Sequence, residues 1–113
     1  MIYGLFIISL FAISSINAAQ RIFSGPINYP VGNYPRSIYT ADLDGDGDID
    51  LAVANGSSND VSVLLNAGDG TFSSSMNYPV GTWPESIHGG DFDRDGDIDL
   101  ATANWLTGDV SVL

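Results

Sequence analysis

Ten aspartates stand in two short runs, Asp42, Asp44, Asp46, Asp48 and Asp50, then Asp91, Asp93, Asp95, Asp97 and Asp99. In each run every second residue is a carboxylate. Counted from the first aspartate, carboxylates fall at positions 1, 3 and 5, with a glycine at 6 (Gly47, Gly96), an aspartate at 7 (Asp48, Asp97) and another at 9 (Asp50, Asp99). On a tightly curled loop these carboxylates point at one centre. The glycine permits the sharp turn, and the residue at position 7 offers its backbone carbonyl. By that geometry Asp48 and Asp97 act through their carbonyls, and their side chains face water. Charges this close repel, so without a cation some must protonate or splay outward. A divalent ion reverses the sign of that effect. Calcium, a hard cation that takes about six to eight oxygens, suits the donor set, and two calcium sites are expected.

The front half of each loop follows the EF-hand pattern, but the rest does not. Position 12 is Val53 or Thr102 instead of a bidentate glutamate, and the flanks read as strands instead of helices. The aspartate at position 9 is left to close the shell. Carboxylates saturated by a structural ion are not free to act as acid or base. His88 is the single histidine, no nucleophile elbow surrounds the serines, and "GDG" at 68–70 is a turn with no lysine or helix start behind it. The reading is therefore a protein that is not an enzyme.

The elements that hold these loops come from a repeat. Asn28–Leu64 aligns without gaps on Asn77–Leu113 at an offset of 49, and nearly two thirds of the positions are identical. "NYPVGNYPRSI" faces "NYPVGTWPESI", "DLDGDGDIDLAVAN" faces "DFDRDGDIDLATAN", and "DVSVL" faces "DVSVL". Ser37–Leu43 leads into the acidic loop. Leu51–Ala54 and Val61–Leu65 are short runs of strand formers. Asn66–Phe72 is a turn, and Thr71–Tyr78 continues as a strand. Helical periodicity is missing from these repeats. Four short strands per unit at this period are the pattern of β-propeller blades. The register gives an orphan strand at 21–28, a blade at 29–78 and an incomplete blade at 79–113. The orphan matches the fourth strand of a unit and is expected to close a ring.

The string "YPVGNYPRSIYTADLDGDGDIDLAVANGSSNDVSVLLNAGDGTF" resembles the FG-GAP/VCBS-type repeat of secreted bacterial proteins, which is related to the integrin α-chain propeller repeats. The resemblance implies an all-β chain, a partial β-propeller of about two four-stranded blades, with calcium in the loop between the first two strands of each blade. It implies metal-ligand roles for the same ten aspartates. One departure is Arg94, where the first loop has Gly45. Position 4 does not ligate, so Arg94 offsets loop charge and weakens the second site slightly.

Composition places the module. The 113 residues carry 14 acids and 3 arginines, with no lysine, for a net charge of -11. That balance excludes nucleic acid and anionic membrane surfaces as partners, because both need a basic patch. Without cysteine there is no disulfide framework, so a small domain needs another staple, and metal is the candidate. Residues 1–18 have the layout of a secretory signal peptide: an apolar run from Ile2 to Ile16, then Ala18 and Ala19 as cleavage candidates. The run is shorter than the roughly 20 residues that span a bilayer. The chain is expected outside the cell or at its surface, behind that leader.

Two blades are too few to bury their faces alone. Partners are therefore further blades of a longer chain or of an associating chain. The leading function is a secreted calcium-binding module for protein or carbohydrate contact and adhesion. The alternative is an accessory propeller domain of an extracellular polysaccharide hydrolase or lyase whose catalytic site lies elsewhere. Trp83, aligned with Tyr34, and Trp105 fall in loops, where they pack between blades or meet a ligand.

Overall fold

The computed structural model describes residues 22–113, which form seven strands in two antiparallel sheets. The first sheet holds β1 (Pro35–Ala41), β2 (Asp50–Asn55), β3 (Asp60–Leu64) and β4 (Met76–Pro79), in that order. The second holds β5 (Pro84–Gly90), β6 (Asp99–Asn104) and β7 (Asp109–Val112). Each sheet is a meander, the topology of a propeller blade.

Strand chemistry explains the layout. Pro35 and Pro84 open the edge strands β1 and β5, where a missing N–H costs least, and a register shift follows each proline. β2 and β3 pair from Leu51↔Leu64 to Asn55↔Asp60, so Ala52, Ala54, Val61 and Val63 share one face. That face packs on Ile87 and Leu100 of the second sheet, with Tyr39, Leu43, Leu65 and Val80 around it. The two alanines let the sheets approach. Gly89 does the same: a Cβ there would collide with the Tyr39 ring.

Three boundaries differ from the sequence reading. The strand expected from Thr71 begins at Met76. Before it, only an isolated bridge joins Asn66 to Phe72, because the Ser73–Ser75 run lies beyond the end of β3. β1 starts and ends two residues before Ser37–Leu43, since Leu43 is drawn into the acidic loop. Among the orphan-strand residues, 22–28 carry no strand, because no β3-like neighbour stands beside them among the described residues. Instead this segment runs along the first sheet, with Tyr29 edge-on to Phe72 at 5.5 Å. The leader expected at 1–18 lies outside the described residues. Among the described residues no helix is long and apolar enough to cross a membrane.

Candidate metal centre

Each acidic run is the connection between the first two strands of its sheet, β1–β2 and β5–β6. In the first loop the Asp42 carboxylate accepts three backbone N–H groups: Gly45 (2.9 Å) and Asp46 (3.1 Å) on Oδ1, and Gly47 (2.8 Å) on Oδ2. Asp44 Oδ1 accepts the Asp46 N–H, and Asp46 Oδ1 accepts the Asp48 N–H. These bonds wind the loop around its own carboxylates. Gly45 and Gly47 have φ of 77° and 91°, the left-handed region that glycine enters without strain.

Asp50 closes the loop from the strand side. It is fully buried, and its two oxygens accept the Leu43 and Asn66 N–H groups, each at 2.8 Å. One carboxylate thus ties the acidic loop to the β3–β4 turn. An ionised carboxylate taken out of water is costly unless a positive partner offsets it. The ion pair found among the described residues, Arg36–Glu85, involves neither loop.

The arrangement brings Asp42, Asp44, Asp46 and Asp50 together, with one carboxylate oxygen of each within 4.8 Å of all the others. Oxygens at about 2.3–2.6 Å from a shared calcium stand at most about 5 Å apart, so this donor set fits that cation. In the second loop Asp91, Asp93 and Asp99 meet the same criterion. The repeat of the hydrogen bonds is close: Asp91 accepts Asp95 and Gly96 N–H groups, Asp95 accepts Asp97, and Asp99 accepts Phe92. Asp95 lies outside the three-residue group. Asp48 and Asp97 lie outside both groups. Asp48 is half-buried, its carboxylate set against Gly68 of the β3–β4 turn, whereas Asp97 is exposed.

Crowding shows in the electrostatics. The Asp44 carboxyl is held above its ordinary range by partial desolvation, helped by the Asp46 side chain and the Asp50 charge. For Asp93 the largest single influence, the Asp95 N–H, lowers it. Desolvation and the carboxylates of Asp95 and Asp99 together outweigh that, and the group is raised. Both loops resist holding every carboxylate ionised without a cation.

Arg94 takes the place of Gly45 at a backbone φ of 64°. Position 4 therefore demands a left-handed residue, and an arginine there is strained by about 1 kcal/mol. The second loop thus keeps the left-handed backbone of the first at position 4, but differs from it in strain and in charge.

Other groups escaped the sequence reading. Asn55 donates to Asp60 Oδ1 and Ser62 Oγ, both at 2.8 Å, and Asn104 does the same to Asp109 (2.9 Å) and Ser111 (2.8 Å). Gly32 and Gly81 donate their N–H groups to Ser62 and Ser111, and a Cβ on either glycine would strike the neighbouring asparagine. The signal was present in the repeated "PVG", "AN" and "DVS", but spacing alone does not say which of them touch. Tyr34, Trp83 and Trp105 form a chain of rings, with centroids 6.0 and 6.4 Å apart. Trp83 packs at the junction, while Tyr34 and Trp105 are two-thirds exposed. His88 stands exposed on β5.

A family model described as an FG-GAP-like repeat matches residues 42–102, from the first aspartate of the first loop to β6 beyond the second. No curated protein and no solved structure matches the chain. The match covers both acidic loops, strands β2 to β5 and most of β6. With two meander sheets carrying the same loop at the same place, the chain belongs to the FG-GAP-like repeat family.

Proposed function

We propose that this protein is a secreted, calcium-stapled binding module, with one calcium held in each β1–β2-type loop. The observation that supports it is the pair of carboxylate groups at repeat-equivalent places, Asp42/Asp44/Asp46/Asp50 and Asp91/Asp93/Asp99. In the first loop those four carboxylates hold the ion, and the Asp48 carbonyl completes the set. In the second, Asp91, Asp93 and Asp99 act with Asp95, the equivalent of Asp46, and with the Asp97 carbonyl. Bound calcium supplies positive charge that offsets the clustered carboxylates. The residues wind the loop, present oxygens and anchor it to the sheet.

The role is structural. Asp50 joins three chain segments, so loading the loop pins a β-hairpin against the next turn. Outside the cell, sites of about 10⁻⁴–10⁻³ M suffice. The exposed rings of Tyr34 and Trp105, tilted against Trp83 between them, offer an apolar aromatic surface of the kind that meets a protein or carbohydrate ligand.

Thermal melting tests the staple. Chelator should lower the melting temperature, and added calcium should restore it by mass action. Equal melting curves with chelator and with calcium would remove the metal assignment.

A further inference from the structure

Asparagine followed by glycine occurs once in the chain, at Asn55–Gly56. That pair has a covalent chemistry of its own. Glycine has no Cβ to crowd its amide nitrogen or restrict its backbone, so the nitrogen can reach Cγ of the preceding side chain. A bond forms between the Gly56 nitrogen and Asn55 Cγ, and the Cγ–Nδ2 bond breaks. Ammonia leaves, carrying Nδ2 and the proton that the Gly56 amide gives up. The product is a five-membered succinimide, which water opens at either carbonyl. One opening leaves aspartate at position 55. The other leaves isoaspartate, with the main chain routed through Cβ. Water is the single co-reactant, and no oxidant or reductant is needed.

The folded blade seals both reacting groups. Asn55 and Gly56 are buried, with Arg36 and Trp83 set against Gly56. The nucleophile is held, because the Gly56 N–H donates to the Tyr34 carbonyl at 2.8 Å. The leaving group is held as well, because Nδ2 donates to Asp60 Oδ1 and Ser62 Oγ. The second repeat supplies a control within the same chain. Asn104 is 2% exposed and donates to Asp109 and Ser111, and the Trp105 N–H donates to the Trp83 carbonyl as Gly56 does to Tyr34. The residue after this asparagine is tryptophan, whose side chain crowds the nitrogen that would attack.

The product does not fit the place it is made in. Ser62 gives its own proton to Asn77 Oδ1, and Asp60 Oδ1 already accepts from Ser58. Aspartate at position 55 would set a carboxylate oxygen against both of those oxygens with no hydrogen between them. Two carboxylates that close, shielded from water, repel strongly. We propose that Asn55–Gly56 is a modification site closed by the fold. It converts to aspartate and isoaspartate when the first blade opens, and the converted blade does not close again. Opening is thereby turned into an irreversible loss by chemistry on the open form. No loop aspartate takes part, so the proposal stands apart from the calcium assignment.

The test is peptide mapping by mass spectrometry of the full chain, held at mildly alkaline pH in native buffer and in guanidinium chloride at equal calcium. In denaturant Asn55 should convert and Asn104 should not. In native buffer conversion should slow about tenfold for each ~1.4 kcal/mol of opening free energy. Gly56→Ala should stop the conversion in denaturant, where folding plays no part. Asn55→Asp, made directly, should lose the sheet signal in circular dichroism. Equal conversion of Asn55 in the two buffers overturns the seal. Conversion of Asn104 alongside Asn55, or of Gly56→Ala at the wild-type rate, overturns the site. An Asn55→Asp chain that folds as stably as wild type overturns the irreversible step.

Discussion

The two repeats carry the same valines at 61 and 110 and at 63 and 112, yet one pair is buried and the other stands open. Sequence identity does not set burial here; the neighbouring sheet does. The acidic loops differ in the opposite way. Their internal hydrogen bonds are similar, but the first has Gly45, a fully buried Asp50 and four clustered carboxylates. The second has a strained Arg94, a half-buried Asp99 and three. Asp50 and Asp99 accept the equivalent Leu43 and Phe92 N–H groups, and Asp50 also accepts from Asn66 in the turn beyond β3. The comparison teaches that the first loop is tied through Asp50 to the turn beyond β3, a turn whose equivalent in the second repeat falls past residue 113.

The largest effect should come from breaking that tie. Asp50→Ala leaves two N–H groups without their acceptor, one of them in the neighbouring turn, and should cost about 3 kcal/mol. Asp99→Ala should cost about half as much. Urea denaturation of both variants in chelator measures the difference without a contribution from metal. Equal losses would mean that the two loops are coupled to their sheets alike.

The core offers a smaller test. Thr102 donates its hydroxyl to Asn104 Oδ1 at 3.0 Å, but the equivalent Val53 cannot, and the buried Asn55 Oδ1 has no partner. Val53→Thr should supply the missing donor and raise stability by about 1 kcal/mol. A loss of stability would mean that the methyl lost from Val53 outweighs the bond gained.

The smallest effect concerns position 4. Arg94→Gly relieves about 1 kcal/mol of backbone strain but adds comparable freedom to the unfolded chain, so stability should barely move. Removal of the positive charge should tighten calcium at the second loop by about twofold at low salt, roughly 0.5 kcal/mol. Calcium titration of this variant and of Gly45→Arg, which should weaken the first loop, reads both signs.

Much of this was legible before any coordinates. Carboxylates at every second position, with a glycine at 6, allow few loop shapes, and a gapless repeat marks the blade. Strand order followed from the spacing of "DIDLAVAN" and "DVSVL". What was not legible depends on contacts between equivalent positions. Arg36 and Glu85 occupy one place in the repeat, so no pattern within a single unit reveals that they pair. Asn55 and Asn104 end their strands, and the hairpin folds them onto serine and aspartate of the next strand. The Thr71–Ser75 stretch has strand-like residues, but it overshoots the end of β3 and is held by the isolated Asn66–Phe72 bridge in place of a continuous ladder.

The central claim is that two loops of unequal strength are calcium staples. Calorimetric titration of the wild-type chain with calcium tests it most directly. Two equivalents should bind, with the tighter one lost in Asp42→Ala and the weaker one lost in Asp91→Ala. Absence of heat, together with a melting temperature that does not move at millimolar calcium, would contradict the account.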